Sequence, residues 1–185
     1  VGINKPEVFR VKDSLKATTK MVESCLAHFD VVLISGGISV GDYDFVKEAL
    51  LQNGVEELFY KINQKPGKPL FFGKKEEKLV FALPGNPAST LTGFYIYVHP
   101  ALKISMGFGS IYLPKIKRKI TVPFENTSGK SLFLKGLYDD EKVTILESQS
   151  SAMLNTFATA NALIYFSYDV VNIAKDQEVQ VIPLY

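Results

Sequence analysis

Three short loops rich in glycine, proline, lysine and aspartate are the parts of this sequence best suited to chemistry. They are residues 35–44 (SGGISVGDYD), 65–69 (KPGKP) and 84–89 (PGNPAS). Glycines let a backbone approach a ligand closely, and consecutive N–H groups in such turns form concavities that bind anions. Together the loops predict a site for a phosphate or another compact oxyanion.

The first loop combines an anion-binding turn with carboxylates. Gly36 and Gly37 suit positive φ, and Ser39 adds a hydroxyl donor. Asp42 and Asp44 could hold a divalent cation against phosphate oxygens. The other interpretation is a glycine-rich turn in which Asp44 only caps the following helix. The residues alone leave both interpretations open.

The other two loops offer positive charge and N–H donors. Lys65 and Lys68 extend from a backbone stiffened by two prolines, as a site for a compact oxyanion requires. In the third loop, free N–H groups, the Asn86 amide and Ser89 lie at a helix N-terminus, which favours an anion. Each loop also has a simpler interpretation: a solvated surface turn for the lysines, and an efficient helix start for Asn86.

The pattern of the first 110 residues predicts helices and strands that alternate around these loops. Asp13 suits the N-cap of a first helix, and residues 31–34 (VVLI) suit a strand buried on both faces. Alternation of this kind predicts an α/β domain with a parallel-rich sheet, whose ligands lie at the carboxyl ends of strands. The further predicted elements are helices at about 44–53 and from Pro87, and strands at 55–62, 70–72 and 79–83.

From residue 115 onward the sequence carries only strand and turn patterns. We expect strands at 116–122, 162–167 and 179–182, and a hairpin of 132–138 with 143–147. The change of pattern predicts a boundary near Ser110. The α/β domain then spans residues 1–110, and a small all-β barrel domain spans residues 111–185.

Composition excludes several classes of protein. The chain has 185 residues, 46% of them hydrophobic, and a formal net charge of +2, which argues against a general nucleic-acid binder. A single cysteine, Cys25, cannot form an intramolecular disulfide and indicates a reducing compartment, so we expect a cytoplasmic location. No apolar run approaches the roughly 20 residues needed to cross a membrane. We therefore expect a small-molecule substrate rather than a nucleic acid or a membrane.

The three loops, in this order, resemble those of a known family. Ser-Gly-Gly-x-Ser-Val-Gly-Asp-x-Asp, Lys-Pro-Gly-Lys-Pro and Leu-Pro-Gly-Asn-Pro-x-Ser are similar to motifs of the molybdopterin molybdenumtransferase family, which includes MoeA and the gephyrin E domain. Lys135-Gly136, residues 149–151 and residues 160–163 resemble its small C-terminal β-barrel domain. The resemblance implies an enzyme of molybdenum cofactor biosynthesis, a cytoplasmic homodimer that inserts molybdate into adenylylated molybdopterin and releases AMP with magnesium.

The resemblance also assigns roles to residues of this sequence. Asp44, with Asp42 beside it, would be catalytic, and Asp44 would bind magnesium. The residues that would bind the pterin nucleotide are Gly36, Gly37, Ser39, Gly41, Pro84, Gly85 and Asn86. The residues that would bind molybdate are Lys65, Lys68, Pro69, Ser89, Lys135 and Ser151.

The sequence departs from the family pattern at two positions and in its extent. Lys135 stands where the family generally has an arginine, so the planar fork that grips an oxyanion through two bonds is lost. Lys175 stands where the family usually has a turn glycine. Family members begin with two further domains and an earlier strand. We therefore expect this chain, which starts at Val1, to correspond to their C-terminal portion.

Two other functions compete with this one. CinA-like nucleotide pyrophosphatases or deamidases share the same α/β domain, and the first glycine loop would serve them equally well. The lysine loop and the β domain favour the molybdenum function. A non-catalytic scaffold is the third possibility, although no segment resembles an added partner motif.

Overall fold

The computed structural model of the protein describes residues 3, 5–38, 45–150 and 155–184. The chain forms two compact units, one of residues 1–62 and 69–85 and the other of residues 63–68 and 86–185. The predicted boundary near Ser110 stays a prediction. The helices are α1 (Leu15–His28), α2 (Phe45–Gln52), α3 (Pro87–Gly93), α4 (His99–Ser105) and α5 (Asn155–Thr159). The strands are β1 (Val31–Ser35), β2 (Glu56–Tyr60), β3 (Gln64–Lys65), β4 (Phe71–Lys75), β5 (Lys78–Leu83), β6 (Ile116–Ile120), β7 (Phe124–Glu125), β8 (Ser131–Tyr138), β9 (Lys142–Ile145), β10 (Ala162–Phe166), β11 (Asn172–Ile173) and β12 (Glu178–Pro183).

The first unit has a mixed sheet in the order β1-β5-β4-β2. β1 and β5 are parallel, with Ser35 opposite Leu83, while β5–β4 and β4–β2 are antiparallel. The α/β class is confirmed, but the parallel-rich sheet is corrected to a mixed one among the described strands. The reason is local, because the turn between Lys75 and Lys78 is too short for anything but an antiparallel hairpin.

The helices α1 and α2 pack on one face of this sheet. Their buried side chains join Val32 of β1 in one hydrophobic core, whereas Leu33 on the opposite face is 46% exposed. The prediction that residues 31–34 are buried on both faces was therefore wrong. A second correction concerns α1, whose N-cap is Ser14 rather than Asp13, since the Ser14 hydroxyl accepts a hydrogen bond from the Ala17 N–H.

The second unit contains the predicted barrel. Strands β10, β12, β6, β9 and β8 follow one another, and a pairing of β8 with β10 closes the ring. The predicted hairpin is confirmed as β8 and β9, with Gly136 opposite Ile145. The inward side chains, among them Leu132, Ile164 and Val181, form a single apolar core. The short strand β3 adds to β8 in parallel at the far end from β9.

Helices of the second unit depart from the sequence-based expectation in two ways. α3 starts at Pro87 behind the N-cap Asn86, as predicted, but a π-helical turn (Phe94–Val98) joins it to α4. The sequence predicted no helix after residue 115, yet α5 lies between β9 and β10. Five residues are too few to show helical periodicity, and α5 is held by the buried Phe157. No helix in the described ranges is long and apolar enough to span a membrane.

Gly136 offers a test of the barrel packing. A Cβ at this position would lie 2.7 Å from Ile164 Cδ1 and 3.1 Å from the Thr144 carbonyl oxygen. We expect Gly136→Ala to destabilise the protein by about 1–3 kcal/mol, the scale of overpacking in a dense core. Urea unfolding measures this change. Gly109→Ala is the matched control, because a Cβ there meets nothing within 4 Å. Equal unfolding midpoints for both variants would contradict the packing at Gly136.

Candidate functional site

The first site element of the α/β unit is a close approach of two glycine loops. The parallel pairing of β1 with β5 places both loops at the same edge of the sheet. The Gly36 N–H donates to the Leu83 carbonyl oxygen at 3.0 Å, and a Cβ on Gly85 would lie 3.4 Å from Gly36 Cα. Gly36 has φ +88° and Gly37 has φ +69°. The structure thus brings Gly85 close to Gly36, with Gly37 next to it in the chain.

Side-chain bulk is excluded from this turn. A Cβ on Gly37 would lie 2.6 Å from Val46 Cγ2, in the first turn of α2. Pro84 follows β5 and is buried, whereas Gly85 and Asn86 are exposed. The turn therefore presents its backbone rather than side chains, which suits a ligand that is bound through N–H groups.

The second element is the lysine loop, which we define as residues 65–68 and which belongs to the second unit. It starts at the end of β3, contains a cis Lys65–Pro66 peptide bond, and has Gly67 at φ +88°. A Cβ on Gly67 would lie 3.6 Å from the Ser89 carbonyl oxygen and 3.9 Å from Ser89 Cβ. The loop therefore packs against the first turn of α3.

Charge and burial divide the lysine loop into two parts. Lys65 and Lys68 are exposed, whereas Gly67 and Ser89 are buried. Two ammonium groups thus extend from a backbone fixed against a helix. The half-buried Pro69 follows directly, where the chain returns to the first unit. One local arrangement thus contains Lys65, Lys68 and Ser89, which come from two separate motifs of the sequence.

Strand β8 contains Lys135 and pairs with β3, which leads into the lysine loop. Lys65 pairs with Leu132, and Lys135 lies three residues further along the strand, which is roughly 10 Å. Because side chains alternate, Lys135 shares a face with Phe133, which packs in one apolar cluster with Ala88, the neighbour of Ser89. The outer face of β8 and the start of α3 thus lie side by side.

Lys135 is a buried cation that is hydrogen-bonded to backbone. Only 3% of the residue is exposed, and its Nζ donates to the carbonyl oxygens of Ser148 at 3.0 Å and Ser150 at 3.3 Å. Burial lowers the pKa of the Lys135 ammonium, because the apolar surroundings disfavour its charged form. The ring of Phe157 adds a cation–π contact at 5.9 Å. The side chain therefore holds the segment that leads towards Ser151.

Gln149 completes this attachment through its amide. Its Oε1 accepts from the Lys135 N–H at 2.9 Å, and its Nε2 donates to the carbonyl oxygens of Lys135 at 2.9 Å and Leu146 at 2.7 Å. The amide oxygen takes the place of a strand carbonyl at the Lys135 N–H, while the Lys135 carbonyl oxygen also accepts from the Leu146 N–H at 3.0 Å. The resemblance identified residues 149–151 as a motif, and the structure shows what the first of them does.

Several predicted site residues lie outside the described residues. They are Ser39, Gly41, Asp42, Asp44 and Ser151. In residues 3, 5–38, 45–150 and 155–184, no group of three or more His, Cys, Asp or Glu side chains is placed to hold a metal ion. The described residues therefore do not provide a magnesium site by themselves. Magnesium stays a prediction attached to Asp42 and Asp44.

Sequence reasoning missed Gln64 and Tyr97, which support the lysine loop. The Tyr97 hydroxyl donates to Gln64 Oε1 at 2.6 Å, and Gln64 Nε2 donates to the Pro66 carbonyl oxygen at 2.9 Å. Burial, with a smaller contribution from Tyr165, raises the pKa of Tyr97 to about 12. A polar Gln64 next to the proline-rich motif was the only signal in the sequence, and nothing there pairs it with a residue 33 positions away.

Comparison with known proteins identifies the two parts of the chain. Residues 1–104 match the family model described as a probable molybdopterin binding domain, and residues 117–184 match the MoeA C-terminal region (domain IV). Molybdopterin molybdenumtransferase 2 of Mycobacterium tuberculosis is 32% identical over 82% of this chain and 39% of its own length. Molybdopterin molybdenumtransferase of Staphylococcus epidermidis is 31% identical over 82% of this chain and 37% of its own. The chain thus spans about two fifths of the length of these curated relatives.

Solved structures show the same fold. A molybdopterin biosynthesis MoeA protein from Pyrococcus horikoshii aligns with a TM-score of 0.78 and 24% identity, covering 95% of this chain and 42% of that one. A molybdenum cofactor biosynthesis protein from Pyrococcus furiosus aligns with a TM-score of 0.74 and 23% identity, covering 94% and 56%. The α/β domain followed by a small barrel is therefore an arrangement these proteins share.

The buried ammonium of Lys135 predicts a pH-dependent stability. Because burial lowers its pKa, the folded chain binds this proton less tightly than the unfolded chain, so the residue's contribution to stability rises as the pH approaches the ordinary lysine pKa. As the pH is raised from 7 to 10, the urea midpoint of the parent should therefore rise relative to the urea midpoint of Lys135→Met. Lys119→Met, at an exposed position of β6, controls for the loss of one positive charge. A difference between parent and Lys135→Met that is the same at both pH values would refute this.

Proposed function

Because the chain belongs to the molybdopterin molybdenumtransferase family, we propose that it acts in molybdenum cofactor biosynthesis. It inserts molybdate into adenylylated molybdopterin and releases AMP, as a transferase. The observation that supports this most is the lysine loop against Ser89. Two ammonium groups on a fixed backbone next to a buried hydroxyl suit a small tetrahedral dianion.

The molybdate part of the proposal uses three kinds of residue. Lys65 and Lys68 supply charge, Ser89 lines the same pocket, and Pro69 fixes the end of the loop. Lys135 adds a cation on the outer face of β8, and Ser151 follows the segment that it holds. Binding of an oxyanion costs the exposed ammonium groups part of their hydration and part of their conformational freedom. The fixed backbone of the loop lowers the second of these costs.

The nucleotide part of the proposal uses the glycine turns. The Gly36 N–H is bonded to the Leu83 carbonyl oxygen, and this bond fixes the turn against Gly85, so that the N–H groups of Gly37 and Gly85 are proposed to face a phosphate. Ser39, Gly41, Pro84 and Asn86 belong to the same loops. Asp42 and Asp44 are proposed to hold magnesium, whose role is to supply positive charge at the phosphates. The pterin nucleotide would then lie at the carboxyl ends of β1 and β5.

The location, the oligomeric state and the partners are proposed from the same family membership. We propose a cytoplasmic protein that acts as a homodimer on small molecules and binds neither nucleic acid nor membrane. The CinA-like pyrophosphatase or deamidase is not favoured, because the barrel domain matches the MoeA C-terminal region. The scaffold is not favoured either, because the curated relatives are named as molybdopterin molybdenumtransferases.

The lysine loop provides the first test. We expect Lys65→Ala and Lys68→Ala each to weaken molybdate binding by about tenfold or more in the full-length protein, since each removes a charge-assisted contact. Exposed lysines contribute little to stability, so the melting temperature should change by no more than about 2 °C. Calorimetric titration with molybdate and a thermal melt measure the two quantities. Lys115→Ala, an exposed lysine outside the loop, is the control. Parent-like binding by both loop variants would place the molybdate pocket elsewhere.

Asp44 tests the nucleotide chemistry. Asparagine keeps the side-chain oxygen that a helix cap needs but removes the negative charge that a magnesium site needs. Asp44→Asn should change stability by no more than about 0.5 kcal/mol. It should lower AMP release from adenylylated molybdopterin by about a hundredfold, the scale of losing one major electrostatic contact. Unchanged AMP release with a lowered melting temperature would leave Asp44 as a helix cap only.

A further inference from the structure

Two neutral side chains, the buried Gln64 and the half-buried Tyr97, are hydrogen-bonded to each other next to the lysine loop. Gln64 is 3% exposed and is the residue immediately before Lys65. Its Oε1 accepts a hydrogen bond from the Tyr97 hydroxyl at an O···O distance of 2.6 Å, and its Nε2 donates to the Pro66 carbonyl oxygen at 2.9 Å. The amide therefore connects the helix that contains Tyr97 to the turn of the loop.

The space and the direction available to the Gln64 amide are set by Gly67 and by the π-helical turn that contains Tyr97. A Cβ on Gly67 would lie 3.2 Å from Gln64 Nε2, so only glycine leaves the amide its full room. Tyr97 lies in the π-helical turn (Phe94–Val98), which holds one residue more than an α-helical turn and so changes the direction of its side chains. On the other side, the pairing of Gln64 with Ser131 fixes the start of the loop on β8.

The neutrality of Gln64 and Tyr97 matters for the charges of the lysine loop. A carboxylate at position 64 would attract the ammonium groups of Lys65 and Lys68 and offset their charge. The amide and the phenol carry no charge, and with the pKa of Tyr97 raised to about 12 the phenol stays neutral at physiological pH. The loop is thus held without any loss of the positive potential that an oxyanion requires.

We propose that Gln64 and Tyr97 act as one unit that positions the lysine loop for oxyanion binding. Neither residue touches the oxyanion, so both are positioning residues. The inference rests on the proposed function, because it takes the oxyanion to be molybdate. Loss of either hydrogen bond frees the turn at Pro66 and spreads the two ammonium groups over many positions, which weakens binding without removing a charge.

A double-mutant cycle tests the unit in the full-length protein. The variants are Tyr97→Phe, Gln64→Met and the pair together. Two readouts are taken: the dissociation constant for molybdate, and hydrogen exchange of the Gly67 and Lys68 amides. Each single substitution should weaken molybdate binding about fivefold or more and speed exchange in the loop, the scale of one buried hydrogen bond. The double variant should bind molybdate no more weakly than the single variant with the larger loss of affinity, because the two residues form one unit.

Two further variants sharpen the test. Gln64→Glu keeps an acceptor for the Tyr97 hydroxyl but places a negative charge beside the lysines, so molybdate binding should fall below that of Gln64→Met. Tyr112→Phe, at a tyrosine that is 67% exposed in the same unit, is the control and should match the parent in both readouts. If Gln64→Met fails to fold, Tyr97→Phe carries the test by itself, since it removes a single oxygen atom.

Three results would overturn the proposal. They are additive effects in the cycle, unchanged exchange of the loop amides in Tyr97→Phe, or faster exchange with parent-like molybdate binding. A parent protein that does not bind molybdate refutes the proposed function instead. In that case unchanged exchange in the loop would still reject the positioning unit, whereas faster exchange in both single variants would support it.

Discussion

Strand β8 must satisfy backbone hydrogen bonds along both of its edges, and the second unit is organised around this requirement. One edge pairs with β10 and closes the barrel. The other edge pairs with β9 near Gly136 and with β3 near Leu132. Between them the Lys135 carbonyl oxygen accepts from the Leu146 N–H at 3.0 Å, just beyond the end of β9. The Gln149 side-chain amide joins this pairing, because it accepts from the Lys135 N–H and donates to the same carbonyl oxygen. An unpaired backbone polar group at so buried a position would be costly. The same strand therefore fixes two loops, the lysine loop through β3 and residues 146–149 through the backbone of Lys135.

The cations beside this strand differ in their surroundings, and so in what they can do. Lys65 and Lys68 are exposed and keep their hydration until a ligand arrives. Lys135 is buried, and a buried ammonium is stable only when its protons find acceptors, here the carbonyls of Ser148 and Ser150. An arginine at this position would present a planar fork with five donors, which could hold the same carbonyls and still reach an oxyanion. The lysine instead directs two of its donors to the backbone, so its first effect is on the path of residues 148–150.

The sequence predicted the elements that depend on local chemistry and missed those that depend on distant pairing. Pro87 behind Asn86 starts α3 as predicted, and the glycines at 36 and 37 adopt the positive φ that their type favours. The exposed face of β1 that carries Leu33 could not be read from a run of apolar residues, because a buried and a half-buried strand share that pattern. α5 is shorter than the period that reveals a helix.

The candidate site shows the same division between motif residues and the residues that hold them. Motifs found Lys65, Lys68 and Ser89, because prolines, glycines and charges are conspicuous in a sequence. Gln64 and Tyr97 belong to no motif, and their relation exists only once β3 has paired with β8 and the π-helical turn has set the direction of Tyr97. Residues 63–68 make the point most clearly. They interrupt the chain of the first unit, between β2 and β4, yet their strand partner lies in the barrel. The position of the lysines is therefore determined by a strand more than 60 residues away in sequence, and a local reading of the motif can identify the charges but not what fixes them in place.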